Sequence, residues 1–375
     1  MSWDQHHSLS ERLASEAEFA ARSGDHQRAI SLYREAGEAE STAFDALPPE
    51  KHRTRGITAV SAVALSYKGH SYPAAERLAY RSLADDDLPL FARGQLQGLL
   101  NLVWAARGAE AAGIRFVPGD VLVSIKGGQV IHGGAPLDPI LSRVEAIQAF
   151  MYRVIEMLLD QPLRRRGGPT PTIQQFFRPW LFQAPAGSYQ FAVRIQQPDQ
   201  MGLFETDRPT VERVTAVFFS ILRASAGNPE IELQEVVPDQ AYREVFLNHS
   251  RNLAPTGKTF ERLEVRDASS PSMLPVAFAP DTRKQINSAL RKIRPQRSSA
   301  EPGEPTPIQG TLRAIHLIDD WLEVVTSSDP TRPVRIEKIG DVLDDVIGPM
   351  LNKRVLVTAV RHGTTTIYRD IELDD

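Results

Sequence analysis

Cysteine is absent from the 375-residue chain. Disulfides, thiolate metal sites and cysteine nucleophiles are therefore excluded. Long apolar runs are absent too: no stretch of about 18 apolar residues occurs, so no membrane span is expected. The first residues, MSWDQHHSLSERLASEAEFA, are polar with early acids, which is not the pattern of a signal peptide. Lysine is scarce, 8 residues against 35 arginines. That bias hints at a GC-rich bacterial genome, and a cytoplasmic protein is expected. There is no Gly-x-Ser-x-Gly elbow and no pair of histidines at i, i+4 around a glutamate. Neither a hydrolase nucleophile nor a zincin site can be read.

What is present is the composition of a folded chain, 42% hydrophobic and 24% charged. At about 100–200 residues per domain, the length predicts two or three domains. A formal net charge of −4 excludes a generic nucleic-acid binder. The charge is uneven, however. Residues 1–113 carry net −3, 114–198 net +4, 199–307 net −1 and 308–375 net −4, so the basic region is central.

In GDHQRAISLYREA, Ala29, Tyr33 and Ala36 fall at i, i+4 and i+7 on one helical face. Leu13, Ala17 and Ala20 do the same upstream, and Ser23-Gly24 separates the two segments. This predicts an αα-hairpin whose alanines allow close packing. A similar layout recurs in ALSYKGHSYPAAERLAYRSL, with a turn at Gly69 and Ala75, Leu78, Ala79 and Leu83 on a face. A further helix is predicted over Leu90–Arg107.

The pattern Ala17, Gly24, Ala29, Tyr33, Ala36 resembles the tetratricopeptide repeat, over roughly the first 110 residues. It departs from the family at Glu16, Ala20 and Ser41, and Ala29 to Ala75 is longer than the family's period. A plain helical bundle is the alternative. The resemblance implies stacked hairpins, a TPR-like domain over 1–113, and a concave surface that binds protein segments.

The pattern changes at Ile114. An α+β domain is predicted over 114–293, a linker over 294–307 and a small β-rich domain, SH3-like or OB-like, over 308–375. The fold class is thus multidomain α and α+β. DVLVSIKGGQVI reads as a hairpin turning at Gly127-Gly128. The clearest helix is expected from Asp138 as cap and Pro139 at the first position. Thr210 and Asp239 are expected to cap two later helices. The last 68 residues read β-β-β-α-β-β, with a hairpin near His362-Gly363.

Chemical candidates are few. Gly257-Lys258-Thr259 lacks the earlier glycine of a phosphate loop and lies between a helix and a strand. His132 sits in IHGGAP, similar to an esterase oxyanion stretch, but without a nucleophile to serve. His6-His7 reads as a terminus. His249 shares a face with Tyr242, Phe246 and Leu253 and reads as a core or interface histidine. Asp319-Asp320, Asp341, Asp344-Asp345 and Asp374-Asp375 read as caps and solvated acids more than as a metal site. The segment PLRRRGGPTPTIQQFFRPWLF combines Arg164, Arg165, Arg166 and Arg178 with Phe176, Phe177 and Trp180. Cations among aromatics suit single-stranded nucleic acid or an acidic partner. A cationic helix end beside core aromatics is the simpler account.

The expected function is a non-catalytic adaptor that binds protein partners through its N-terminal helices, with no cofactor, metal or membrane. A nucleic-acid-associated protein using Arg164–Trp180 is a second expectation, and an enzyme with its site in the central domain a third.

Overall fold

A computed structural model describes residues 2–116, 121–131, 134–183, 189–197, 208–268, 273–293, 304–339 and 344–374. His132, Asp341 and most of the expected linker, 294–303, lie outside the described residues. The chain divides into two compact units, Met1–Arg115 with Gln183–Ala186, and Phe116–Phe182 with Gly187–Asp375.

The first unit is helical: α1 (Trp3–Arg22), α2 (His26–Asp45), α3 (His52–Lys68), α4 (Tyr72–Leu83) and α5 (Leu90–Ala111). Consecutive helices pack against each other, and α5 also packs on α3. The alanines explain how. Ala17 and Ala36 are fully buried and Ala29 nearly so, which leaves backbones as neighbours. Gly24 makes the first turn at φ 81, and the Asp25 side chain caps α2 by accepting from Arg28 N. Close approach is tightest at Gly69, where a Cβ would lie 2.5 Å from the backbone nitrogen of Arg34. Gly69→Ala should therefore overpack this contact and destabilise the first unit by about 1–3 kcal/mol, readable as a lower urea midpoint. His7 is not a loose terminus: it lies within α1, 3.0 Å from the buried Glu40 carboxylate.

The second unit joins a mixed layer to a barrel. The layer contains β1 (Arg115–Phe116), β2 (Val121–Lys126), α6 (Leu137–Leu158), α7 (Pro171–Phe176), β3 (Pro179–Gln183), β4 (Gln190–Gln197), α8 (Val211–Ala226), α9 (Glu232–Val236), α10 (Gln240–Leu253), β5 (Arg262–Asp267), β6 (Val276–Phe278) and α11 (Pro280–Ile293). Its sheet runs β1-β4-β2-β5-β6, with β3 also on β4. β2 alternates buried and half-buried residues, so one face is covered. Val121, Val123, Ile125, Phe191 and Val265 on that face share a core with α6, α8 and α10. Phe150 of α6 centres this core, 5.2 Å ring to ring from both Phe218 and Phe246.

The hairpin expected at Gly127-Gly128 does not form. β2 pairs with β4 and β5, antiparallel to both. Gly127 and Gly128 take positive φ and press the chain against residues 259–261, where Gln129 N donates to Thr259 O. With both edges of β2 occupied, Val130-Ile131 has no strand to join. Nor does Asp138 cap α6. The helix begins at Leu137 after Pro136, and Asp138 falls within the first turn, where the dipole favours an acid. Thr210 and Asp239 do cap α8 and α10.

The barrel contains β7 (Pro305–His316), β8 (Trp321–Thr326), β9 (Asp329–Glu337), α12 (Asp344–Ile347), β10 (Arg354–His362) and β11 (Thr365–Leu373), with a 3-10 turn, Gly348–Met350, after α12. It closes in the order β10-β11-β9-β8-β7, with β7 pairing back onto β10. All pairs are antiparallel except β9 with β11. β7 starts upstream of the stretch read as strand, because Pro305–Pro307 already lie in register with β10. The core holds Leu312, Leu322, Val324, Ile336, Val355 and Val357, and is joined by Val346, Ile347 and Met350.

Candidate functional site

The second unit has a cleft of ≈ 320 Å³ where α6 meets the loop to α7. α6 contributes Glu145, Gln148 and Tyr152 to its wall. The chain leaves α6 through Asp160 in the left-handed region, passes Arg164–Arg166, turns at Gly167 and enters α7, capped by Thr170. Arg164, Gly167, Gly168, Arg178 and Asp345 line it as well.

Beneath the cleft lies a cluster of buried charges. Arg153, fully buried on α6, donates through Nε to Asp345 Oδ2 at 2.6 Å and through Nη1 to Glu156 Oε2 at 3.1 Å. Arg164 donates through Nε to the other Glu156 oxygen at 2.8 Å and through Nη1 to the Gly167 carbonyl. Asp344 accepts from Gly167 N. His249 is 1% exposed, and its Nε2 lies 3.7 Å from Asp345, outside hydrogen-bond reach. Neither His249 nitrogen has a hydrogen-bond partner, nor has Arg153 Nη2. His249 is therefore the buried histidine expected, but not a satisfied one.

These contacts fix the protonation states. Burial would raise the Asp345 carboxyl, but His249 and Arg153 beside it hold it well below the usual carboxylate range. Burial, with Glu156 nearby, pushes the Tyr242 hydroxyl up to about 12, and that hydroxyl donates to the Gln161 carbonyl. Burial likewise raises Tyr152. Acid–base catalysis wants a group poised near neutrality, and these shifts all lead away from it. Ser142 and Lys353 are in contact at 2.6 Å, but the serine hydroxyl donates to Asp138 O, so the lysine is a donor to it and not a base. Among the described residues no group of three or more His, Asp or Glu side chains is placed to hold a metal ion.

The segment Arg164–Trp180 does not present cations and rings on a common face. Arg164 is 17% exposed and committed to Glu156. Arg165, Arg166 and Arg178 are exposed, with Arg166 Nη2 3.4 Å from the Leu317 carbonyl. Phe177 is buried, Phe176 lies under Arg208, and Trp180 Nε1 donates to Gln196 while its ring meets the edge of Phe116. Lys258 bonds Asp374, as a connector residue and not a phosphate ligand.

The charge cluster was not read from the sequence. Arg153 lies across α6 from the stripe of Ile147, Met151, Val154, Ile155 and Leu158, on a side that reads as solvated and that the fold buries as well.

The first unit carries a different feature. Trp104 of α5 and Tyr80 of α4 lie 6.4 Å apart, and are 45% and 52% exposed. Glu76 fixes Trp104 by accepting from its Nε1 at 2.9 Å, and also takes Arg107. Leu90 and Phe91 are uncovered at the other end of α5. No helix of the described residues is long and apolar enough to cross a membrane. No protein-family model, curated protein or solved structure matches the chain.

Proposed function

We propose that the chain is a non-catalytic interaction protein of a bacterial cytoplasmic complex, with its partner surface on the first helical unit. The observation that carries this reading is the Tyr80–Trp104 pair, held in place by Glu76 yet about half exposed. Trp, Tyr and Arg dominate interface hot spots, and a fixed side chain loses little entropy on binding. The tetratricopeptide-like reading of residues 1–113 fits the stacked hairpins and the alanines at their contacts. We read the barrel as OB-like in preference to SH3-like, since it is closed, has α12 between its third and fourth strands, and closes through the parallel pair β9–β11. Fold alone assigns it no ligand. Trp321 is stacked on His316 and lies under Arg335, so its ring is already engaged on the barrel.

The test is a photo-crosslinker at the exposed Gln97 of α5, in the full chain in its host. Adducts with another protein, lost on Trp104→Ala, are the expected result, and absence of any adduct counts against the reading. Fluorescence titration with a single-stranded oligonucleotide at about 50 mM salt tests the alternative use of Arg165, Arg166 and Arg178, because electrostatic binding is strongest at low salt. No binding is expected. Binding that weakens in Arg165→Ala/Arg166→Ala would favour the nucleic-acid reading.

A further inference from the structure

The last strand, β11, registers with β9 at a single position, Ile367 with Glu337. Further along, its carbonyls go to side chains of the layer instead. Ile371 O accepts from Arg251 Nη2 at 2.8 Å, and Leu373 O from Arg283 Nη2 at 3.0 Å. Carboxylates alternate with these carbonyls. Asp370 accepts from Arg251 Nη1 at 2.7 Å, Glu372 from Arg283 Nη2 at 2.9 Å, and Asp374 from Lys258. Residues 370, 372 and 374 share one face of the strand by its period of two, while Ile371 and Leu373 belong to the barrel core. Arg251 and Arg283 are buried, so this reading surface is built into α10 and α11 and is not a chance meeting of surface charges.

The charge runs one way: in each of these pairs the cation comes from the layer and the carboxylate from the barrel. The direction recurs at α12, where Asp345 meets Arg153 and Arg164, with Glu156 of α6 shared between the two arginines. A buried ion pair returns little net stability, although stripping either partner is costly. Arg251 Nε, Ser250 Oγ and Asn252 Oδ1 of α10 are also buried without a hydrogen-bond partner, which weakens the contact further. An interface of this polar kind resembles those between domains that part and rejoin. Residues 294–303, RPQRSSAEPG, join α11 to the barrel and read as a tether.

We infer that this surface of α10 and α11 is a docking site for an extended acidic segment of a partner protein, with carboxylates at every second residue, and that the chain's own last strand fills it as an autoinhibitory plug. The barrel withdraws as a body with β11 when the partner's segment takes the arginines. A peptide suits the surface better than a nucleic acid does. Arg251 and Arg283 each take a main-chain carbonyl beside a carboxylate, and a phosphodiester backbone has no such carbonyl. The tether holds the plug at an effective concentration of about millimolar, so a competing segment binds weakly until the plug is out. The surface lies in the second unit and goes beyond the adaptor reading of the first.

The probe is a fluorescent peptide of residues 366–375, TIYRDIELDD, and the protein is the full chain. In Asp370→Asn/Glu372→Gln/Asp374→Asn the plug loses its carboxylates, and the peptide should bind about tenfold or more tighter than to wild type. The same peptide with Asn and Gln in place of its acids should bind that variant about tenfold or more weaker. Adding Lys258→Glu should weaken the acidic peptide about threefold, with the circular dichroism spectrum unchanged. A second measurement needs no change in the strand. In a chain cut at a protease site placed between residues 298 and 299, excess acidic peptide should free the barrel fragment, and the neutral peptide should not. No release by the acidic peptide, or release by the neutral one as well, overturns the inference. So does equal binding to wild type and variant, which would place the peptide elsewhere. A single-stranded oligonucleotide that binds the variant as tightly as the peptide would make a nucleic acid the occupant. Exchange of barrels between differently tagged copies would make it a second copy. Either outcome overturns the partner segment. A failed crosslink at Gln97 leaves a positive result standing, because the peptide test uses no residue of the first unit.

Discussion

Replacing Arg153 by alanine should cost the second unit about 3–5 kcal/mol at pH 7, because it takes from the buried Asp345 its hydrogen-bonded cation and leaves Glu156 with Arg164 alone. Both carboxylates approach it within 3.1 Å, and Glu156 is 2% exposed. The variant distinguishes a lost interaction from a lost volume when set beside Arg153→Met, which keeps most of the packing. Both should fall well short of wild type if the charge matters, and only alanine should if volume matters. The triple variant Arg153→Met/Glu156→Gln/Asp345→Asn should recover part of the loss, since both carboxylates are then neutral and Arg164 keeps Asp344 at 3.8 Å.

The pH dependence has a definite sign. Asp345 titrates lower in the folded protein than in the unfolded chain. Its contribution is therefore complete above the unfolded value and is lost as the pH falls through it towards the folded one. Without Arg153, His249 is left to oppose burial and the folded value rises, so that contribution shrinks. The difference in stability between wild type and Arg153→Ala should shrink between pH 7 and pH 3. A difference that does not change with pH would show that another group holds the Asp345 charge. Urea melts at each pH, followed by a signal from the second unit, measure this.

The first hairpin of the first unit was legible because alanine periodicity and a Gly turn are local signals, and packing followed them; of α3 only the end from Ala64 was read. The caps at Thr210 and Asp239 were legible for the same reason. At Gly127-Gly128 the local signal misled: a Gly-Gly pair between apolar residues suits a hairpin, but both edges of β2 were already taken by β4 and β5. Pairings of this kind are decided by chain segments far away. The barrel strands could be read one by one, while the parallel closure of β9 on β11 leaves no mark in either strand. Arg164 looked available because its neighbours in sequence are arginines and glycines. Its true neighbours, Asp344 and Asp345, come from the barrel. Arg153 and Asp345 are 192 residues apart, and nothing in either local sequence names the other.

The same separation makes the barrel part of the second unit, and a final variant tests how firmly. Arg283 of α11 uses all three guanidinium nitrogens. It donates to Glu372 at 2.9 Å and to the Leu373 carbonyl at 3.0 Å on β11, and to the Arg251 and Ala254 carbonyls at 2.8 and 2.9 Å at the end of α10. Arg251, itself 1% exposed, adds Asp370 at 2.7 Å and the Ile371 carbonyl at 2.8 Å. Two arginines thus hold the last strand of the barrel, and Val245 of α10 lies within the barrel core. A protease site engineered between residues 298 and 299 should then yield two fragments that stay together through size exclusion, because the noncovalent contacts outweigh the cut. Arg283→Ala should lower stability by about 3–5 kcal/mol, since it leaves Glu372 with only the Asn287 amide at 3.4 Å and removes the guanidinium from three carbonyls. Lysine, a point charge that cannot make the forked contacts, should restore less than half of that loss. In the cleaved protein Arg251→Ala/Arg283→Ala should release the barrel fragment. A barrel that dissociates from the cleaved wild type would mean that the linker, and not these arginines, keeps it in place. Fragments that remain together in the double variant would assign the docking to the apolar contact around Val245 and to the ion pairs of Arg153 and Arg164 with Asp345.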